Sequence, residues 1–156
     1  MKRRSLILGL VSAAALVIGG VAPSASASTT HSGWERFLIV QTDETATINP
    51  VIGDGPIHAR GRDVQVNNHR DRFAFPAGAV KIDHYATAHH ESFDPKTCVG
   101  RVSETGVYTV NGGTGRYSNA SGHGNYRLQV YFIGCHQGDP SNVFSLVIHA
   151  SGPLSY

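Results

Sequence analysis

From Asn125 to Phe132 the chain alternates with a period of two. Tyr126, Leu128, Val130 and Phe132 fall on one side, and Asn125, Arg127, Gln129 and Tyr131 on the other. Successive side chains of an extended strand point to opposite faces, so the pattern suits a half-buried strand and not an amphipathic helix. The alternation recurs in Val80 to His90, Arg101 to Val110 and Phe144 to Ile148, with further strand candidates at Phe37 to Gln41, Ile57 to Val66 and Arg72 to Phe75. No long segment beyond residue 27 sustains a 3.6-residue apolar period. Turn residues punctuate the runs at Asn49-Pro50, Gly53-Asp54-Gly55-Pro56, Asn67-Asn68, Pro76-Ala77-Gly78, Asp94-Pro95, Asn111-Gly112-Gly113 and Gly138-Asp139-Pro140. Seven or eight strands so spaced predict an all-β sandwich or barrel. Neither an internal repeat nor a linker divides residues 28–156, which read as one domain.

Residues 1–27 have the layout of a cleavable signal peptide. Lys2, Arg3 and Arg4 form a basic start, Leu6 to Ala22 an apolar run, and Ala25-Ser26-Ala27 a small-x-small cleavage site. Gly9, Gly19 and Gly20 dilute the apolar run, and no basic stop-transfer cluster follows it, which argues against a retained membrane anchor. A secreted protein of bacterial type is expected. The chain carries 13 Lys+Arg against 11 Asp+Glu, but three of the basic residues lie in the leader. What remains is close to neutral and has no basic stripe with which to grip phosphates, so nucleic acid is not an expected partner.

Cys98 and Cys135 are the only cysteines, and in an exported chain they are expected to pair. If residues 98–110 and 122–135 form a hairpin, its centre falls near Arg116 and the two cysteines meet at the open end. Matching the apolar faces of these strands requires paired numbers with an even sum, whereas 98 and 135 sum to an odd one. A one-residue β-bulge in this hairpin would repair the mismatch.

The segment Thr105-Gly106-Val107-Tyr108-Thr109-Val110-Asn111-Gly112-Gly113-Thr114-Gly115-Arg116-Tyr117-Ser118-Asn119-Ala120-Ser121-Gly122 resembles dirigent proteins and allene oxide cyclase-like barrels, including small secreted bacterial members. The resemblance implies an eight-stranded antiparallel, calycin-like barrel whose lumen takes an apolar small molecule. It carries no catalytic set across. Gly112, Gly113 and Gly115 would permit positive φ in a tight connection, with Tyr117 tucked under the loop as a plug. A phosphate cradle would want a helix behind these glycines, and Gly122 begins a strand-like run instead.

Four residues stand out for chemistry, three of them as catalytic candidates. Glu104 shares a face with Val102, Gly106, Tyr108 and Val110, where a carboxylate is out of pattern. Facing an apolar lumen, it would act as an acid or base. Otherwise it sits at an open barrel end or pairs with an arginine such as Arg127. His84 interrupts the face of Val80, Ile82 and Ala86, and His149 shares a face with Val147. Each is either a lumen acid/base or a hydrogen-bonded core histidine. Tyr108 is the third catalytic candidate. Nine histidines raise the question of metal. Yet His84 and His90 share a strand face while His89 points away, and that spacing is no ligand signature, so neither metal nor cofactor is expected.

Two functions follow, with a third behind them. A binding module would hold a hydrophobic small molecule in the lumen. A cofactor-free cyclase or isomerase would instead need polar groups converging in one layer of the lumen, with Glu104 first and His84 and Tyr108 behind it. The third is a packed barrel acting through its surface, for which Tyr131 and Ile133 on an otherwise polar face are the hint. The sequence leaves the oligomeric state open.

Overall fold

The computed structural model describes residues 30–135 and 143–156, and the expected leader, residues 1–27, lies outside them. The described chain is all-β. Its strands are β1 (Ser32–Gln41), β2 (Ile48–Asp54), β3 (Ala59–Asn67), β4 (Arg70–Phe75), β5 (Gly78–Asp94), β6 (Val99–Gly113), β7 (Ser121–Ile133) and β8 (Val143–Ser155), with a 3₁₀ turn at Gly115–Tyr117. Each strand pairs antiparallel with the next, and β8 returns to β1, closing an eight-stranded barrel. Closure satisfies the backbone groups that an open sheet would leave bare at its edges. Alternate residues point inward, so Phe37, Ile39, Phe73, Phe75, Val80, Ile82, Tyr108 and Val110 make a buried core.

Strand β2 departs in part from the sequence reading of turns at Asn49-Pro50 and Gly53-Asp54-Gly55-Pro56: Asn49, Pro50, Gly53 and Asp54 belong to the strand, and Gly55-Pro56 to the bend after it. Pro50 lacks an N–H, yet the β1–β2 ladder covers only Val51 to Asp54, so Pro50 lies past its end and is tolerated.

The β6–β7 hairpin corrects a second expectation. Its ladder runs from Val99 opposite Ile133 to Asn111 opposite Ser121 in one register, without the predicted bulge. The mismatch in parity is absorbed past the last pair. There Cys98 turns into the left-handed region (φ 57°), and its carbonyl accepts the Gly134 N–H at 3.0 Å. Cys98 bonds Cys135 off the paired positions, with Cα atoms 4.7 Å apart.

The bulges lie at other seams, and one changes which side chains face inward. Ala86 pairs with Gly106 and Ala88 with Thr105, so Thr87 is an extra residue in β5. Beyond it every side chain swaps face. His89, not His90, therefore lies on the side of His84, directly opposite Glu104.

The barrel has unlike ends. At one, the connection from β6 to β7 folds over the opening. Gly112 (φ 76°) and Gly115 (φ 58°) take left-handed conformations. Gly113 does not. It passes so close to the backbone carbonyls of Ala79 and Tyr117 that a side chain would not fit. The Thr114 N–H bonds the Ala79 carbonyl at 2.8 Å, and Tyr117 is buried with its ring against Phe75 and Tyr156. At the other end β5 to β8 run on past their neighbours. The β4–β5 ladder stops at Asp83, whereas β5 continues to Asp94 paired with β6 alone. The inward residues of this extension, among them Val102, Val130 and Leu146, are half-buried.

Candidate functional site in the barrel lumen

The residue pattern that builds the barrel also divides its interior into two halves. Strands β1 and β8 contribute Phe37, Ile39, Ile148 and Ala150 to a cavity of about 60 Å³. Across from them, five consecutive strands present polar side chains to the same space: Asp63 of β3, Asp71 of β4, His84 of β5, Glu104 and Tyr108 of β6, and Tyr126 of β7. Phe73, Ile82 and Leu128 complete the wall.

The three catalytic candidates read from sequence, Glu104, His84 and Tyr108, thus line one cavity. Their partners differ from those expected. Glu104 does not meet Arg127, which pairs opposite Thr105 and is exposed on the outer face. Instead Tyr126 donates its hydroxyl hydrogen to Glu104 Oε1 at 2.6 Å, and His89 Nδ1 lies 3.4 Å from Oε2. Burial first, then the Glu104 carboxylate, holds the Tyr126 phenol well above its ordinary value. His84 Nε2 lies 3.2 Å from Asp71 Oδ2, and that hydrogen bond raises the imidazole pKa against the opposing effect of burial. The His84 and Tyr126 rings stand perpendicular with centroids 6.0 Å apart, which links the two pairs. Tyr108 is buried, and desolvation pushes its phenol up to about 12. His149, by contrast, is exposed on the outside of β8 while Ile148 and Ala150 face in.

Asp63 was not singled out from sequence, and it is the least satisfied group in the lumen. It is 6% exposed, and its Oδ1 has no hydrogen-bond partner. Burial, followed by repulsion from Asp71, raises its carboxyl to about 7, with His84 pulling the other way. Asp63 is therefore balanced between acid and carboxylate near neutral pH, and the Asp71 hydrogen bond favours the protonated form of His84. The layer can both give and accept a proton.

A second buried carboxyl, Glu35 of β1, is 0% exposed and does not line the cavity. Its Oε2 accepts the Ile57 N–H at 2.7 Å, and burial raises its pKa to about 7. Gly53 and Gly55 pack against it so closely that Glu35 ties β1 to the turn after β2.

Among the described residues no group of three or more His, Cys, Asp or Glu side chains is arranged to hold a metal ion. Comparison with known proteins finds no matching family model, no matching curated protein and no matching solved structure.

Proposed function

We propose that the barrel binds a small, mainly apolar molecule in its lumen, with the ligand's polar end turned toward the Asp63, Asp71, His84 and Glu104 side. The observation that carries this reading is the uneven cavity wall: β1 and β8 contribute only apolar side chains, and every polar lining side chain comes from β3 to β7, beside Phe73, Ile82 and Leu128. Small barrels either fill their interior with side chains or keep room for one ligand, and a cavity with a few convergent polar groups is the usual form of such a site. Size narrows the ligand. A cavity of about 60 Å³ is well below the ~150 Å³ that takes benzene. A slender chain or a single functional group fits, and a larger body would lie along the half-buried inner face of the β5–β8 extension. Native mass spectrometry of the protein purified from its producing culture should reveal a retained small-molecule mass. Leu128→Trp, which fills the cavity, should abolish that mass. An unchanged adduct in Leu128→Trp, or no adduct from any preparation, would overturn the reading.

One observation favours a second reading, a cofactor-free isomerase or cyclase of the allene oxide cyclase-like or dirigent-like kind. The pairs Asp71–His84 and Glu104–Tyr126 meet in one layer of the lumen, as proton transfer requires. The barrel would hold a reactive substrate in one conformation while one pair delivers a proton and the other removes one. Incubating the retained molecule with the protein in D2O tests this. Deuterium should enter at carbon with wild-type protein and far more slowly with Glu104→Gln. Absence of exchange would leave a binder.

A further inference from the structure

We infer that the lumen ligand carries a protonated amine, which Asp63 anchors at the cavity wall while the apolar body of the ligand lies toward the β5–β8 extension. This rests on the lumen reading and adds the chemical class of the ligand.

Three features of the cavity point the same way. Its charge is one-sided: Asp63, Asp71 and Glu104 face a single lining imidazole, His84, and none of the described lining residues is Lys or Arg. His84 is already engaged by Asp71, and one Glu104 oxygen by Tyr126. The acceptor left over is Asp63 Oδ1, buried, without a partner, on a side chain that lines the cavity. A buried acceptor with no donor is costly, the more so when it is charged, and an ammonium N–H removes that cost while compensating the carboxylate's charge. The third feature is aromatic. Phe37, Phe73, Tyr108 and Tyr126 all border the cavity. Ring faces attract organic cations and repel anions, so a ring that turns its face to the cavity favours an ammonium over a carboxylate of the same size.

The length of the ligand follows from the shape. The cavity admits an ammonium and a few methylenes. The inward face continues without a break in register from Glu104 to Val102 on β6, from Leu128 to Val130 on β7, and from Ile148 to Leu146 on β8. An unbranched alkyl chain rising from the cavity would cover this half-buried strip.

The test compares one six-carbon chain with three head groups, hexylammonium, hexan-1-ol and hexanoate, titrated into the purified protein and followed by calorimetry and amide chemical shifts. Hexylammonium should bind at least ~10-fold more tightly than hexan-1-ol, and hexanoate most weakly. Asp63→Asn should bring hexylammonium down toward the hexan-1-ol level while changing hexan-1-ol, whose hydroxyl can still bond the amide oxygen, much less. The groups facing Asp63 are Asp71 on β4, His84 on β5 and the neutral Asn49 on β2. Because Asp63 gains its charge as pH rises, hexylammonium affinity should climb by roughly 10-fold from pH 5.5 to 7.5 in wild type and much less in Asp63→Asn, where only the loss of the His84 charge remains. If hexan-1-ol binds as well as hexylammonium, or Asp63→Asn makes no difference, the amine assignment falls and lumen binding stands. If none of the three binds, or if Leu128→Trp binds them all as wild type does, both fall.

Discussion

Tyr126 reaches Glu104 across the β6–β7 seam at 2.6 Å because the residue directly opposite it in the ladder is Gly106. A Cβ at position 106 would stand in the Tyr126 ring and against the Tyr85 carbonyl. The same device recurs nearer the disulfide, where Phe132 lies over Gly100. Glycine in a strand interior ordinarily weakens it by roughly 0.5–1 kcal/mol relative to alanine. Here the sign reverses. Gly106→Ala should destabilise the barrel by about 3 kcal/mol, combining overpacking with loss of the hydrogen bond, and Tyr126→Phe by about 1 kcal/mol. Urea unfolding of the two variants gives the comparison, and a Gly106→Ala barrel as stable as wild type would mean the ring is not seated there.

Glu104 separates hydrogen bonding from charge. Glu104→Gln keeps an acceptor for the Tyr126 hydroxyl and loses the electrostatic contact with the partly exposed His89 and a minor one with His84, so it should cost less than ~1 kcal/mol at pH 7. Glu104→Leu strands the buried hydroxyl and should cost about 2 kcal/mol. Equal losses in the two variants would show that the charge, not the hydrogen bond, holds Glu104 in place.

Stability should fall as pH rises from 5 to 8. Glu35 and Asp63 each have a folded pKa of about 7, above their ordinary values of 4.5 and 3.8. Between those limits the folded state holds protons that the unfolded chain has released. Each carboxyl therefore withdraws on the order of 3 kcal/mol as pH climbs to 7 and beyond. His84 acts in the same direction. Its pKa is raised in the fold by Asp71, so its contribution is complete below pH 6.5 and is lost as the pH passes the raised value. Thermal unfolding at pH 5, 6.5 and 8 should give steadily lower Tm values, with a shallower slope in Glu35→Gln and in Asp63→Asn. A Tm that rises over this range would contradict the burial of both carboxyls.

Glu104 is not the only carboxyl that breaks an apolar face. Glu35 alternates with Phe37 and Ile39, and Asp71 with Phe73 and Phe75, so both carboxyls interrupt apolar faces and both point inward. Asp63 gives no such signal. Its inward neighbours on β3 are Ala59 and Gly61, while Val66 is exposed, so the more hydrophobic face of that strand looks outward. Its burial follows from the pairing of β3 with β2 and β4, which sets Asp63 opposite Asn49 and Phe73 on the inner side of the barrel. His89 was assigned to the wrong face for a different reason. The extra residue at Thr87 shifts the pleat without any local mark in composition, because a bulge belongs to the pairing of two strands. The glycine-rich connection was the most legible stretch, since two of its glycines occupy backbone conformations that other residues enter at a cost.

The disulfide gives a prediction about place as well as size. Cys98 and Cys135 are 37 residues apart, and closing a loop of that length stabilises by about 4 kcal/mol if the effect lies wholly in the unfolded chain. In the fold the bond sits past Val99 and Ile133, the last ladder pair of the β5–β8 extension, far along the chain from the glycine-rich plug. The lumen layer begins at Glu104, five residues inward on β6, and its contacts do not pass through either cysteine. Replacing both cysteines with serine should therefore lower the unfolding free energy by about 2–4 kcal/mol while leaving the cavity assembled. Hydrogen exchange would locate the loss. Amides of residues 99–103 and 129–133 should exchange faster than in wild type at pH 7, and those of Phe37, Phe73 and Val80 should slow or hasten only with global stability. Faster exchange that begins at the barrel core and spares the extension would mean that the bond braces the lumen itself.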